Sequence, residues 1–229
     1  MKDNKHKCDL QSCFLCKLSQ KEWLPAIDVH RKIIHVKKGA LIFEEGSPVE
    51  GIYFINEGKA KVHKKWGEDK ELIVRVAGKS AILGHRGLGK AMVYPVSATA
   101  LEATTLCFID LTFFYATTKV NPDFTFELMM FFAEELQESE KNMRNLAHMT
   151  VKGRIAYVLL LLEEKFGINA EGTINITLSR QDLASLAGTT YETVFRILTE
   201  LTEEKCITTT NRNITLINKA KIKEIAGQH

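Results

Sequence analysis

Residues 178–198 read LSRQDLASLAGTTYETVFRIL. Ser179, followed three residues on by Asp182, is a capping-box-like helix start. Leu183, Leu186 and Ala187 then fall at helical spacing, and Gly188 breaks the run. Thr189-Thr190-Tyr191-Glu192 opens a second helix with Thr/Glu capping spacing, carried on by Val194, Ile197, Leu198 and Leu201. Ala184 stands where the first helix must approach the second closely. Two short strands follow, around Cys206–Thr209 and Asn213–Ile217, with Asn211–Asn213 as their turn. Helix, glycine turn, helix and β-hairpin in this order make a winged helix-turn-helix.

If Val194, Ile197 and Leu198 face the core, Tyr191, Glu192, Phe195, Arg196 and Thr199 are left for solvent or a groove. A helix in the major groove reads bases with residues near its N-terminus. A glutamate can accept from the cytosine amino group, and an arginine can grip guanine O6 and N7. Glu192 and Arg196, four residues apart, reach the same groove floor. An ordinary surface ion pair at that spacing is worth only ~0.3–0.5 kcal/mol, and in this context base reading is preferred. Arg180, Gln181, Thr189 and Thr190 complete the candidate DNA-contact set.

Upstream, Val151–Phe166 is a helix ended by Gly167, and Thr173–Leu178 alternates as a half-buried strand does. Asn121-Pro122 begins a long amphipathic helix within residues 119–149, with Leu128, Phe132, Leu136, Met143 and Leu146 on one stripe. Such a stripe packs either on the helix's own domain or on a second copy of the helix. Between Lys37 and Asp110, short apolar runs alternate with glycines (39, 46, 51, 58, 67, 78 and 84), which predicts a compact β-barrel or roll. Trp66-Gly67-Glu68-Asp69 is a hairpin turn in that reading.

The segment Leu178–Leu198, with Glu192-Thr193-Val194-Phe195-Arg196 at its core, resembles the helix-turn-helix of the CRP/FNR family of bacterial transcription regulators. The resemblance covers most of the chain. It implies an α+β fold with a cysteine-containing segment (1–20), a cyclic-nucleotide-binding-like β-roll (21–118), a dimerisation helix (119–149) and a winged helix-turn-helix domain (150–229). It also implies a homodimer on double-stranded DNA with a two-fold symmetric operator, acting with RNA polymerase. Glu192 and Arg196 would read the C·G pairs of a TGA-type half-site, the two recognition helices lying ~34 Å apart. CRP-like members carry arginine where this chain has Tyr191, and FNR-like members carry serine where it has Phe195. The outer bases of the half-site therefore do not follow from the resemblance.

Phosphate capture in cyclic-nucleotide-binding rolls uses a Gly-Glu pair and, further on, an Arg followed by Ser or Thr. Here the stretch is Gly84-His85-Arg86-Gly87, with no arginine before Ser97. The acceptor for the ribose hydroxyl is missing, so a cyclic nucleotide is not favoured. Gly84, His85 and Arg86 remain candidates for a small anionic ligand, for a contact with the dimer helix, or for a plain turn.

Cys8, Cys13 and Cys16 fall within nine residues, and Cys107 stands apart. A C-x4-C-x2-C…C set is a spacing known for iron–sulfur ligation. FNR-like oxygen sensors combine N-terminal cysteines with one cysteine on the roll, which implies a 4Fe–4S or 2Fe–2S cluster answering to oxygen, redox state or nitric oxide. Release of that tie would change how the two dimer helices pack. The alternatives are zinc with His6 as a further ligand, reversible thiol oxidation, and no ligand, with Cys107 a core residue. Cys206 reads as packing.

The net charge of +3 is unevenly spread: residues 1–38 carry nine Lys/Arg against four Asp/Glu, 39–149 twelve against fifteen, and 150–229 ten against nine. DNA binding by the last segment must then rest on placed residues rather than a basic field. No apolar run approaches a membrane span and no apolar signal segment follows the N-terminus, which predicts a cytoplasmic protein. The odd cysteine count argues against a disulfide framework. Glycine-rich phosphate loops, G-x-S-x-G and H-E-x-x-H are all missing, and catalysis is not expected. A regulatory subunit that binds a ligand on the roll without DNA is the other alternative.

Overall fold

The computed structural model describes residues 10–67 and 70–227. The chain divides into two compact units, Met1–Lys65 with Val74–Leu136 and Trp66–Ile73 with Gln137–His229.

Among the described residues the chain runs through α1 (Phe14–Leu18), a 3-10 turn (Lys21–Trp23) and α2 (Leu24–His30) into eight strands: β1 (Lys32–Val36), β2 (Leu41–Phe43), β3 (Gly51–Glu57), β4 (Ala60–Trp66), β5 (Lys70–Ala77), β6 (Ile82–Leu83), β7 (Ser97–Ala100) and β8 (Thr104–Asp110). These make two four-stranded sheets, ordered β1-β8-β3-β6 and β2-β7-β4-β5. β3 and β8 pair antiparallel with Ile52 opposite Ile109 and Phe54 opposite Cys107. Gly51 is required there, because a Cβ would lie 2.2 Å from the Ile109 carbonyl oxygen.

The period-two alternation of a strand divides the apolar side chains of β3 between two cores. Tyr53 and Ile55 point inward with Phe43, Val62, Ala98, Leu106 and Phe108, drawn from both sheets. Ile52 and Phe54 point to the other face, where Leu15, Ile27, Phe113, Phe114, Phe124 and Leu128 cover them from helices. A strand buried on both faces reads as an unbroken apolar run, as Ile52–Ile55 does.

α3 (Leu111–Val120) is started by Asp110, whose Oδ1 accepts from the Phe113 N–H at 3.0 Å. α4 (Pro122–His148) begins on Pro122, a position where proline's missing N–H costs nothing. Within the cysteine-containing segment, residues 10–20 include the short helix α1. Neither that helix nor α3 is signalled by apolar periodicity.

The second unit contains α5 (Val151–Phe166), α6 (Arg180–Ala187), α7 (Tyr191–Glu203), the two-stranded sheet β9 (Ile207–Thr210) with β10 (Asn213–Leu216), and α8 (Lys219–Ile225). Thr150 caps α5 by accepting from the Gly153 N–H, and Gly167 ends it at φ 69°. The strand expected over Thr173–Leu178 is not formed. Ile174, Ile176 and Leu178 are buried and Asn175 and Thr177 exposed, but the segment makes only an isolated bridge, Ile168 to Ile174. Burial alternates without a ladder, because the backbone partners are scattered: the Ile174 N–H donates to Ile214 and that of Asn175 to Gly167.

Candidate functional site

In the second unit, α6 opens with a full capping box. The Ser179 hydroxyl accepts from the Asp182 N–H, and the Asp182 carboxylate accepts from the Ser179 N–H. Gly188 closes the helix in the left-handed region at φ 62°, ψ 48°, the conformation that leaves glycine unstrained. Ala184 is fully buried. Thr190 then caps α7, its Oγ1 accepting from the Thr193 N–H at 3.3 Å. The two helices are thus held at a fixed turn by side chains that satisfy otherwise orphaned backbone groups.

α7 is sharply two-sided. Val194, Ile197, Leu198 and Leu201 are buried, whereas Tyr191, Glu192, Phe195, Arg196 and Thr199 are exposed or half-buried on the other side. The Glu192–Arg196 pair does not form. Arg196 Nη1 lies 2.5 Å from Glu200 Oε1 instead, and Glu192 stays open to solvent. Among the other predicted contacts, Gln181 and Thr190 are exposed and Thr189 half-buried. Arg180 is half-buried and its Nη2 donates to the Asn211 carbonyl at 3.3 Å, tying α6 to the β9–β10 turn.

Sequence reading missed Arg154. From α5 its Nε donates to Ala187 O at 2.8 Å, its Nη1 to Met149 O at 2.9 Å and its Nη2 to Gly188 O at 3.1 Å. One guanidinium therefore satisfies carbonyls at the end of α6, where a cation also meets the negative end of the helix dipole. An arginine on an otherwise apolar helix face was the only available signal.

In the first unit, the interior of the roll is filled by rings. Phe43 stacks on Tyr94 at 4.1 Å between centroids and on Tyr53 at 5.7 Å, and Tyr53 meets Phe108 at 4.9 Å. The Tyr94 hydroxyl donates to Gly51 O at 2.9 Å. A cavity lined by Phe43, Val62, Leu83, Gly84, His85 and Tyr94 among others has about 10 Å³. That is room for about one water, against several hundred Å³ for small-molecule sites. Ser97 is spent on backbone, its Oγ accepting from the Glu45 N–H at 2.9 Å.

Gly84 takes φ 86° and leads into a 3-10 turn, His85–Gly87. This turn delivers Arg86 to α4, where its Nη2 lies 2.7 Å from Glu135 Oε2. Arg75 Nε is 3.3 Å from Glu135 Oε1, and His85 Nε2 is 3.6 Å from Oε2, too long for a hydrogen bond. Burial opposes ionisation of Glu135, but the His85 ring, Arg75 and Arg86 override it and hold its pKa at about 2. Burial pushes His85 down, so the imidazole is neutral. Neither Arg75 nor Glu135 was singled out from sequence. Nothing local marks two residues so distant along the chain as partners.

Cys13 stands at the N-cap position of α1, and Cys16 lies within the helix. Both are buried in the same core as Cys107, together with Leu15, Phe124 and Leu128. Cys13 and Cys107 line one small cavity with Ser12, Phe54, Lys79 and Ser80. Three soft thiols in one apolar cluster suit an iron–sulfur or zinc group by donor chemistry. Among the described residues no three of His, Cys, Asp and Glu converge tightly enough to hold a metal ion. Cys8, the fourth predicted donor, and His6 lie outside the described residues. Phe14 of α1 packs edge-on against Phe124 and at a tilt against Phe131, both at 5.8 Å, so the cysteine helix rests directly on α4.

Comparison with known proteins follows the same division. The cyclic nucleotide-binding domain matches residues 33–121, and the Crp-like helix-turn-helix domain matches residues 153–225. The two together define a regulator that joins a sensor-type roll to a winged DNA-binding module. The chain belongs to the CRP/FNR family of transcription regulators. It is 26% identical over 195 residues to the transcriptional activator protein anr of Pseudomonas aeruginosa, covering 84% of this chain and 79% of that one. It is 24% identical over 187 residues to the CRP-like cAMP-activated global transcriptional regulator of Mycobacterium tuberculosis, covering 81% and 84%. The structure of FixK2 from Bradyrhizobium japonicum superposes with a TM-score of 0.77 at 21% identity, covering 85% and 96%, and so shares the fold. Among the described residues, no helix is long and apolar enough to cross a membrane.

Proposed function

We propose that this chain is a homodimeric regulator that reads a two-fold symmetric operator with α7 and answers to oxygen, redox state or nitric oxide through thiols at the α1–α4 junction. The observation that carries the sensing half is the burial of Cys13, Cys16 and Cys107 in one core with α4 residues. Cys8, Cys13, Cys16 and Cys107 would hold an iron–sulfur cluster, which when bound supplies chemistry that oxygen and nitric oxide attack. The chain's own part is mechanical. α1 stays seated while its cysteines are tied, and Phe14 then stays between Phe124 and Phe131. When α1 leaves, α4 loses that aromatic contact and its packing changes, a two-state argument of a familiar kind.

Dimerisation is supported by the exposed side of α4. Met129, Leu136 and Met143 recur at heptad spacing, with Phe132 and Leu146 on the same stripe; Leu136 is 62% and Met143 67% exposed. That is the spacing of a coiled-coil seam. DNA reading by Glu192 and Arg196, aided by Arg180, Gln181, Thr189 and Thr190, is supported by their place on and around the open face of α7. To grip a guanine, Arg196 has to leave Glu200, which costs little for an exposed pair.

The filled roll, the occupied Arg86 and the missing glutamate all weigh against a cyclic nucleotide, although one relative is cAMP-activated by name. A site for another small anion at Gly84, His85 and Arg86 would need Glu135 to move. RNA polymerase is the partner of a regulator acting at promoters.

The test is the ultraviolet–visible spectrum and metal content of the anaerobically purified full chain, alongside Cys107→Ala, with operator affinity measured before and after air. A brown protein that bleaches in air, loses operator affinity, and has no colour in the variant supports the reading. Cys107→Ala keeping both metal and oxygen response overturns the sensing half. Failure to enrich a symmetric operator from random duplexes overturns the DNA-reading half.

A further inference from the structure

Residues four apart on a helix lie nearly above one another. Tyr191, Phe195 and Thr199 therefore share one edge of α7, and Glu192 and Arg196 share another. Each polar residue directly follows its aromatic neighbour in sequence, and so stands about 100° further round the axis. The open face of α7 is split lengthwise into an apolar ridge, Tyr191 and Phe195, and a polar ridge, Glu192 and Arg196. The buried residues Val194, Ile197, Leu198 and Leu201 occupy the opposite side. Phe195 is 60% exposed and Tyr191 46% exposed. A single exposed ring on a surface is unremarkable. Two of them one turn apart, beside the residues placed to read bases, form an ordered surface on the reading face.

The major groove presents one apolar group, the 5-methyl of thymine, among edges otherwise made of donors and acceptors. We infer that Phe195 sets the base preference of this protein by packing its ring on the methyl of a thymine next to the base pair held by Glu192 and Arg196, with Tyr191 flanking it. This rests on the reading that α7 enters the major groove. The occupant follows from chemistry. A phenyl ring can neither donate to nor accept from a base edge, so only the methyl rewards its approach, whereas cytosine in the same place would bring an amino group against an apolar surface and leave it unpaired.

The test uses the full chain and the operator it enriches from random duplexes. Affinity for that duplex is compared, at one salt concentration, with copies in which each thymine in turn is replaced by deoxyuridine, which lacks only the methyl. Burial of one methyl is worth about fourfold in affinity, so loss of one in each half-site should weaken binding about 15-fold. Phe195→Ala should bind thymine and uracil duplexes equally, and Phe195→Leu should still tell them apart. The ring is exposed, so both variants should unfold with the wild-type protein. If uracil at every thymine leaves wild-type affinity unchanged, or Phe195→Ala keeps the difference, the inference fails while the reading of α7 stands. If the wild-type protein enriches no symmetric operator, both fail together.

Discussion

Replacing Glu135 with glutamine removes one charge, leaves the shape almost unchanged, and tests the ionic link between the roll and α4. The carboxylate is held at a pKa of about 2, against an ordinary 4.5, and one pKa unit corresponds to about 1.4 kcal/mol. Ionised Glu135 thus contributes about 3 kcal/mol to its unit at neutral pH. The same figure follows from the other side of the pair. Arg75 is 10% exposed, and a buried cation stripped of its partner costs about 3–5 kcal/mol. Because the folded-state pKa is depressed, this stability is fully present above the unfolded value of 4.5 and is lost as pH falls toward about 2. Urea unfolding of the full chain at fixed protein concentration, followed by circular dichroism from pH 7 down to about pH 3, measures it; urea is preferred because guanidinium is a salt and screens the link. Glu135→Gln should be destabilised by about 3 kcal/mol at neutral pH, and the gap should close as the solution is acidified. Equal midpoints at neutral pH, or a gap that ignores pH, would refute the assignment of Glu135 as the anion that Arg75 and Arg86 hold.

Gly188→Ala should cost about 1–2 kcal/mol, since an L-residue is strained in the left-handed region and its Cβ would lie 2.5 Å from Leu146 Cδ2; thermal unfolding of the second unit reads this. Arg154→Ala should lower stability by about 2–3 kcal/mol, because carbonyls of Met149, Ala187 and Gly188 lose a charged donor. It should also weaken operator binding in gel shifts at temperatures where circular dichroism shows the helices intact. Arg154→Lys should recover little of either, because an ammonium cannot reproduce the planar fork that meets three carbonyls at once.

The helix-turn-helix was legible because its determinants are local. Ser179 with Asp182, Gly188, and Thr190 each act within a single helical turn, and the buried set of α7 follows one period. The roll was legible only as a class. Its glycines mark turns, but the pairing of Ile52 with Ile109 joins strands separated by most of the roll's sequence, and no local pattern fixes such a register. α3 escaped notice because Thr112, Phe113, Phe114, Tyr115 and Val120 are indifferent helix formers; the Asp110 cap and the burial of Phe113 and Phe114 hold it in place. Thr173–Leu178 misled in the opposite direction, since a segment pressed on a core alternates in burial whether or not a strand lies beside it. At the candidate site the exposed face of α7 was readable from its spacing, whereas the partners of Arg86, Arg154 and Arg196 depend on geometry that only the fold supplies.

The roll keeps the outline of a ligand-binding domain while its chemistry has been turned inward. Arg86 meets Glu135 of the chain itself, and Phe43, Tyr53 and Tyr94 are stacked inside the roll. Beside these groups the described residues leave about 10 Å³, so a small molecule placed there would displace them. Besides its buried Phe124 and Leu128, the part of α4 in this unit makes two contacts of different kind. The ionic one at Glu135 is insensitive across neutral pH, because the carboxylate is ionised and His85 neutral. The aromatic one depends on α1, which starts at Cys13 and contains Cys16, being seated in the core beside Cys107. Of the two, only the second contains groups whose chemistry oxygen or nitric oxide can alter under conditions where the ion pair does not change. On the proposed reading, the thiol core is therefore where oxygen or nitric oxide would act, while the ion pair at Glu135 would be left unchanged by either.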